Sequence, residues 1–252
     1  MNSSLTVTRI GHACHLIQIG DIRILTDPWF TTNSHYRQGE PVATAVADLG
    51  PVDALVVSHE HYDHCDLDAL VAGGFDLDTP LVGPGTVTTI ATAKGFRDTR
   101  TIEAWESNRV GSDLLVTAAP AQHGVHEVTF VIQAGGRTVY FGGDSLRVPE
   151  LDEIPERFGA VDLALLPTNG LCVRPLDLRQ VVMNAEEAAG LAAVLKPTLA
   201  VPHHYAFHSG WLGDRMITKG DTDPRHFSDA LARIAPEVAV RLVTPGTPVR
   251  VL

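Results

Sequence analysis

The sequence is poor in the features that mark disulfide-bonded, membrane-spanning or nucleic-acid-binding chains. Three cysteines occur in 252 residues, Cys14, Cys65 and Cys172, and none forms a C-x-x-C pair. An odd, sparse count excludes a disulfide framework and fits a reducing compartment. No apolar run approaches the roughly 20 residues that cross a bilayer. Residues 1–6 show no basic segment followed by a long apolar stretch, so a cytoplasmic protein without a membrane span is expected. Basic residues are scarce, 19 Lys and Arg against 30 Asp and Glu, for a formal net charge of -11. That sign argues against a nucleic-acid backbone as the main partner, because phosphate binding wants a basic face. No G-x-S-x-G element is present, and the cysteines lack a basic setting in sequence, so no protein nucleophile is in view. Low-complexity runs and short repeats are absent too.

What is present is ordinary globular material, 44% hydrophobic and 19% charged, long enough to bury a sizeable core. Alternating or continuous apolar runs predict strands at 5–9, 15–19, 22–26, 54–57, 80–82, 114–118, 128–133, 138–141, 161–166, 199–201, 238–243 and 249–252. Gly20-Asp21 and Gly135-Gly136 predict hairpin turns. Helices are expected at 66–72, 87–93, 184–195 and 227–234. Asn184 is placed as the N-cap of the third, with Glu187 at the capping-box position. Strands followed by a helix recur twice. The expectation is therefore an α/β chain with one domain over 1–252, built from two similar halves of about 1–126 and 127–252.

The densest chemistry lies in Ser58-His59-Glu60-His61-Tyr62-Asp63-His64-Cys65. Four candidate ligands fall within six positions at the end of an apolar strand. Imidazole and carboxylate suit zinc, and also iron or manganese. In an extended segment His59 and His61 point to one side, while Asp63 and His64 can face a second ion. Further candidates end other strands: His123, Asp144 after Gly142-Gly143, His203 or His204, and Asp27. Asp27 is expected to cap a turn or to support a ligand histidine through its second nitrogen. Neighbours in an extended segment point to opposite faces, so His203 and His204 are not both ligands. His126 could stand in for His123. His12, His15, His208 and His226 read as core or surface imidazoles, with His12 and His208 keeping some weight as site-lining groups. Cys65 reads as a packing residue rather than a soft ligand. Residues 31–41 form either a flap over the site or a plain surface loop.

The pattern H-x-H-x-D-H resembles the signature of the metallo-β-lactamase superfamily. That resemblance implies a four-layer αββα sandwich with two metals at the sheet edges. It implies His59, His61 and His123 on one metal, Asp63, His64 and His204 on the other, and Asp144 bridging. Pro120-Ala121-Gln122-His123 matches the family's P-A-x-H, and Pro202-His203-His204-Tyr205 its P-x-H-Y, which selects His123 and His204. Gly11-His12-Ala13, Thr26-Asp27-Pro28-Trp29 and Met183-Asn184-Ala185-Glu186-Glu187 look like the branch holding L-ascorbate-6-phosphate lactonase-like and N-acyl-phosphatidylethanolamine phospholipase D-like proteins. Gly142-Gly143-Asp144-Ser145 departs from its commoner G-D-T.

The reaction so implied is hydrolysis by an activated water between two divalent ions about 3.5–4 Å apart, zinc first, manganese or iron as alternatives. Asp63 would bind metal and orient the water or take its proton. The expected substrate is a small, anionic ester, lactone or phosphodiester. Trp29, Asn169, His208 and Arg215 are the candidate contacts, with His35, Tyr36, Tyr205, Trp211 and Lys219 beside them; Arg215 or Lys219 would pair with the anion. Competing readings are a β-lactamase-like amide hydrolase, disfavoured by Asp144, a di-iron redox enzyme, and an inactive metal-binding module. A homo-oligomer is compatible with all of them.

Overall fold

The computed structural model describes residues 3–174 and 177–252. Two seven-stranded sheets carry the architecture. The first runs, in spatial order, Val249–Arg250, Leu5–Gly11, Cys14–Ile19, Ile22–Thr26, Ala54–Val56, Leu81–Gly83 and Thr99–Thr101. The second runs Ala239–Val240, Leu199–His203, Leu163–Pro167, Arg137–Phe141, Thr129–Ala134, Leu114–Ala119 and Ser107–Val110.

Both sheets repeat one pairing scheme: three antiparallel pairings, then three parallel ones. Two of the antiparallel pairs are hairpins closed by short turns, where Gly20 (φ +60°) and Gly135 and Gly136 (φ +52° and +73°) take the left-handed backbone such turns need. The parallel strands require longer crossovers, and several of these carry the helices.

Side chains alternate across each strand, which builds the layers. Leu5, Val7, Ile17, Ile24 and Val56 from the first sheet meet Phe130, Ile132, Phe141, Leu165 and Val201 from the second in a shared core. The opposite face of the first sheet, with Leu25, Leu55 and Leu81, packs on Leu67 and Leu70 of Leu67–Ala72 and on Val87 and Ala91 of Gly85–Ala93. The opposite face of the second sheet, with Val131, Tyr140, Leu166 and Ala200, is covered by Ala185–Leu195 and Arg225–Ile234. Central strands buried on both faces explain the continuous apolar runs in the sequence. The four-layer helix–sheet–sheet–helix arrangement matches the expected fold class.

Several elements depart from the sequence reading. Thr99–Thr101 and Ser107–Val110 are strands without an apolar signal; both lie at sheet edges, where polar side chains face water. Residues 238–243 contribute only Ala239–Val240, and Gly210–Met216 is an unforeseen helix with no buried residue. The chain passes from the first sheet to the second between Thr101 and Ser107, and Val249–Arg250 returns to pair with Leu5–Gly11.

The capping box at Ala185–Leu195 forms as read. Asn184 Oδ1 accepts from the Glu187 amide at 3.0 Å, and Glu187 Oε2 accepts from the Asn184 amide at 3.0 Å. Asn184→Ala is expected to cost about 1 kcal/mol of stability. Urea unfolding will show this as a lower midpoint at unchanged slope; an unchanged midpoint would mean that the cap carries no weight.

Candidate metal centre

Each chemically competent side chain follows the carboxyl end of a strand at one edge of the sandwich. Ile22–Thr26 delivers Asp27, and Ala54–Val56 delivers residues 59–64. Leu114–Ala119, Arg137–Phe141 and Leu199–His203 deliver His123, Asp144 and His204. The carboxyl ends of parallel strands are where such sheets open and their connections diverge.

Three imidazole nitrogens converge first. His61 Nδ1 lies 2.9 Å from His59 Nε2 and 3.3 Å from His123 Nε2. Tetrahedral coordination at about 2.0–2.1 Å places ligand nitrogens about 3.3 Å apart, so the spacing is that of a closed ligand set. Beside it lies a second group of His12, Asp63, His64 and His204. Asp63 Oδ2 stands 3.4 Å from His12 Nε2, 3.7 Å from His204 Nε2 and 3.8 Å from His64 Nε2. Asp144 faces both groups: Oδ1 is 2.8 Å from His204 Nε2 and 3.3 Å from His64 Nε2, while Oδ2 is 4.0 Å from His123 Nε2. Despite these approaches, His64 Nε2, His204 Nε2 and Asp144 Oδ1 are buried without an aligned hydrogen bond. Buried polar atoms are rarely left so. A divalent cation in the second group would satisfy them, and the donor set suits it; the three converging imidazoles of the first group offer a second ligand set.

The second nitrogen of three rings is already engaged, which fixes their tautomers. His64 Nδ1 donates to Asp27 Oδ2 at 2.6 Å. Ser58 Oγ donates to the same oxygen at 2.7 Å and is 2.9 Å from His59 Nδ1, which leaves His59 as the donor there. His123 Nδ1 donates to the Val181 carbonyl at 2.8 Å. In each case Nε2 is the nitrogen that faces the centre. Asp27 thus supports a histidine as read from the sequence, and its Oδ1 also accepts from the Ser58 amide at 2.7 Å.

Backbone strain gathers here. His12, Asp27 and His204 adopt φ of +50°, +29° and +60°, conformations that cost of order 1 kcal/mol or more each in non-glycine residues. The turn at His204 separates it from its neighbour. His203 ends its strand with its ring in the core, 5.5 Å from Phe141 and 5.4 Å from His15, while His204 faces Asp63 and Asp144. Gly143 (φ +51°) packs so tightly on Glu127 and Ser58 that a Cβ would strike both.

Charge is finely opposed in this buried basin. Burial works against ionisation of Asp63, but the imidazoles of His64, His12 and His204 outweigh it and hold the carboxyl well below its ordinary range. Asp144 is held down in the same way by His204 and His64. Burial also opposes charge on His64, yet Asp144, Asp63 and Asp27 raise it well above the ordinary imidazole value, and Asp144 and Asp63 raise His204. Burial and neighbouring imidazoles push His59 well down, His61 to about 4 and His12 to about 3.

Two residues carry more of the site than the sequence suggested. His12, there only a loose histidine, is wholly enclosed, its ring 4.1 Å from that of His204. Glu127, not singled out, accepts from the Asp144 amide at 2.6 Å and lies 3.5 Å from His59 Nδ1; burial raises its carboxyl. The adjoining Gly-His-Ala motif was the available signal for His12. A lone acid before a strand gave none for Glu127.

The candidate substrate contacts need correction. Trp29 is wholly buried, its ring edge-on to His12 at 4.9 Å. Asn169 is buried too, its Oδ1 accepting from the Leu171 amide at 3.1 Å. Neither can reach a ligand from bulk water. His208 lines a neighbouring hollow, and Arg215 lies outward with its guanidinium 4.1 Å from the Trp211 ring. The cavity over the ligand groups, about 240 Å³, is lined instead by Tyr36, Leu171, Val173, Val181, Phe207 and Ile217 together with His61, Asp63, His123, Asp144 and His204. Residues 31–41 bring Tyr36 there. They are tied down by Glu40 to Arg9 at 2.7 Å and by Arg37–Gln38 pairing with Phe207–His208.

Comparison with known proteins agrees with this architecture. A family described as the beta-lactamase superfamily domain matches residues 22–205. A UPF0173 metal-dependent hydrolase of Pelotomaculum thermopropionicum is 28% identical, over 96% of this chain and 98% of its own. An uncharacterised protein of Mycobacterium tuberculosis is 30% identical over 74% of this chain, which spans about half (54%) of that relative. In structure, a metallo hydrolase from Ignicoccus hospitalis superposes with a TM-score of 0.77 over 98% of both chains at 23% identity.

Two measurements test the centre. His64 and His204 hold protons above the ordinary imidazole value of 6.5 in the metal-free protein, so an incoming cation must displace them. Affinity for zinc should therefore fall as pH drops and rise as pH climbs through those raised values. Calorimetry in buffers of different ionisation enthalpy should find about one to two protons released per chain at pH 7; binding with no proton release would refute the assignment. Asp27→Asn should weaken zinc binding by about 10–100-fold, and unchanged affinity would remove Asp27 from the site.

Proposed function

The chain belongs to the β-lactamase superfamily and is a metal-dependent hydrolase, and from that premise we propose that it works with two divalent ions. His59, His61 and His123 hold one; Asp63, His64 and His204 hold the other; Asp144 serves both. The observation that carries this reading is a pair of adjoining ligand groups: three converging imidazole nitrogens in one, and in the other buried imidazole nitrogens beside an Asp144 oxygen that likewise has no partner. A nitrogen-rich set with two carboxylates favours zinc, with manganese or iron as alternatives.

When bound, such ions would supply Lewis acidity and bring the pKa of a water at the centre towards neutrality. The protein does the rest. Asp63 stays ionised and accepts a hydrogen bond from the attacking water, orienting its lone pair towards the substrate. His12, with Nε2 3.4 Å from Asp63 Oδ2, lies beside that carboxylate. Asp27 and Ser58 fix His64 and His59, so the ligand atoms are pre-positioned and need no rearrangement as charge develops. The apolar wall of the cavity excludes bulk water from the reacting centre. An ester, lactone or phosphodiester offers the electrophile this arrangement can attack. Two of the cysteines are poor nucleophiles: Cys14 is buried, and burial pushes its thiol upward and that of Cys65 up to about 12.

Removal of single ligands tests the proposal. His61→Ala should lose at least one metal equivalent by elemental analysis and at least 100-fold in turnover of an ester, lactone and phosphodiester panel, about 2.7 kcal/mol of transition-state stabilisation. His204→Ala should likewise lose metal, whereas His203→Ala should keep both equivalents and lose stability, because its ring packs in the core. Full metal content in His204→Ala, or metal loss in His203→Ala, would reverse the choice of neighbour.

A further inference from the structure

We propose that the substrate is a small carboxylic ester or lactone whose non-reacting part is neutral and apolar, seated against Leu171, Val173, Val181, Phe207 and Ile217. The inference rests on the hydrolase reading above and departs from the anionic substrate that the sequence suggested.

The cavity holds about 240 Å³, below the ~300–1,000 Å³ of pockets for drug-sized ligands. Away from the metal-ligating groups its described lining is hydrocarbon, apart from the peptide backbone and one hydroxyl, that of Tyr36. No Lys or Arg is among those lining residues. The nearby cations are turned elsewhere. Lys219 Nζ pairs with Asp214 at 2.8 Å and sits 4.1 Å over the Phe207 ring. It lines the adjoining hollow, and Phe207 borders both spaces. Arg215 rests on Trp211, and Arg174 donates to the Arg215 carbonyl at 2.9 Å.

Charge counting leads to the same class. Two divalent ions bring four positive charges and Asp63 and Asp144 remove two, so the loaded centre offers no more than two for water and the reacting group together. A second anionic group further along the cavity would be buried against hydrocarbon with no partner, which is strongly disfavoured. A hydrocarbon group there is favoured instead. Burial pushes the Tyr36 hydroxyl up to about 12, so it stays protonated and can donate to a substrate oxygen.

The reaction balances with water alone. A bond forms from the water oxygen to the acyl carbon, and the bond from that carbon to the leaving oxygen breaks. One water proton goes to the leaving oxygen, and the other is released as the acid ionises.

The test uses the zinc-loaded chain with p-nitrophenyl esters from acetate to hexanoate, the matched ester ending in a carboxylate, and bis(p-nitrophenyl) phosphate. Each added methylene should raise kcat/KM about fourfold until the cavity is full. The carboxylate-ended ester should fall at least tenfold below its neutral counterpart. Val173→Arg, at a half-buried position on a short strand, should narrow or invert that preference, and Tyr36→Phe should lower turnover of every ester. Calorimetric binding of hexanamide to the metal-free chain gives a readout independent of catalysis; it should be measurable and should vanish in Val173→Arg. Equal or better turnover of the carboxylate-ended ester, or turnover of the phosphodiester alone, would overturn the substrate class and leave the hydrolase reading standing. Hexanamide binding without turnover of any compound would uphold the apolar class and sink the hydrolase reading. Absence of both would overturn the proposal.

Discussion

The contact on which the centre depends is the buried carboxylate of Asp27, shared between His64 Nδ1 and the amide and hydroxyl of Ser58. One side chain at the end of Ile22–Thr26 thereby fixes two rings on the loop that follows the neighbouring strand, His64 directly and His59 through Ser58. A carboxyl group removed from water demands such partners. Having found them, it sets the tautomers that leave ligand nitrogens free. The strained backbone at Asp27 itself, with φ of +29°, is the cost of bringing the carboxylate under the loop. Glu127 plays a comparable part from the second sheet, gripping the Asp144 amide while facing His59.

Electrostatics then explain why so many histidines can share one small volume. His59 and His61 are driven towards the neutral form by burial and by each other's neighbours, while His64 and His204 are drawn towards the charged form by Asp63, Asp144 and Asp27. The two carboxylates are held ionised. The basin is a set of lone pairs and negative charges temporarily balanced by protons, which is the condition in which divalent ions displace protons efficiently.

Much of this is legible in the amino-acid sequence. Strand ends carrying His59 to His64, His123, Asp144 and His204 were visible because a buried strand and its polar terminus leave a local signature. The Asn184 capping box was visible for the same reason. The walls of the cavity were not. Val173 and Ile217 belong to a small sheet of two-residue strands, Cys172–Val173, Arg179–Gln180 and Ile217–Thr218. Strands that short show no period, and their partners are distant in sequence. Trp29 and Asn169 misled for a related reason. Each follows a strand end and so suggested a site-facing loop residue, but tertiary packing turned both inward. His12 was half legible: its motif stood out, yet nothing local showed that it would lie against Asp63 and His204.

The ligand groups are drawn from both sheets. His59, His61, Asp63 and His64 follow a strand of the first, and His123, Asp144 and His204 follow strands of the second. Ions held among them would act as rivets across the seam of the sandwich. The two sheets could then neither slide nor part at that edge without dismantling the site, whereas the opposite edge is held by hydrocarbon contact and by the hydrogen bonds of Ser3 with Gly135 and Arg137. Breathing of the molecule would accordingly be anisotropic, a wedge opening away from the metals. Metal occupancy would govern mechanical stiffness as directly as it governs chemistry.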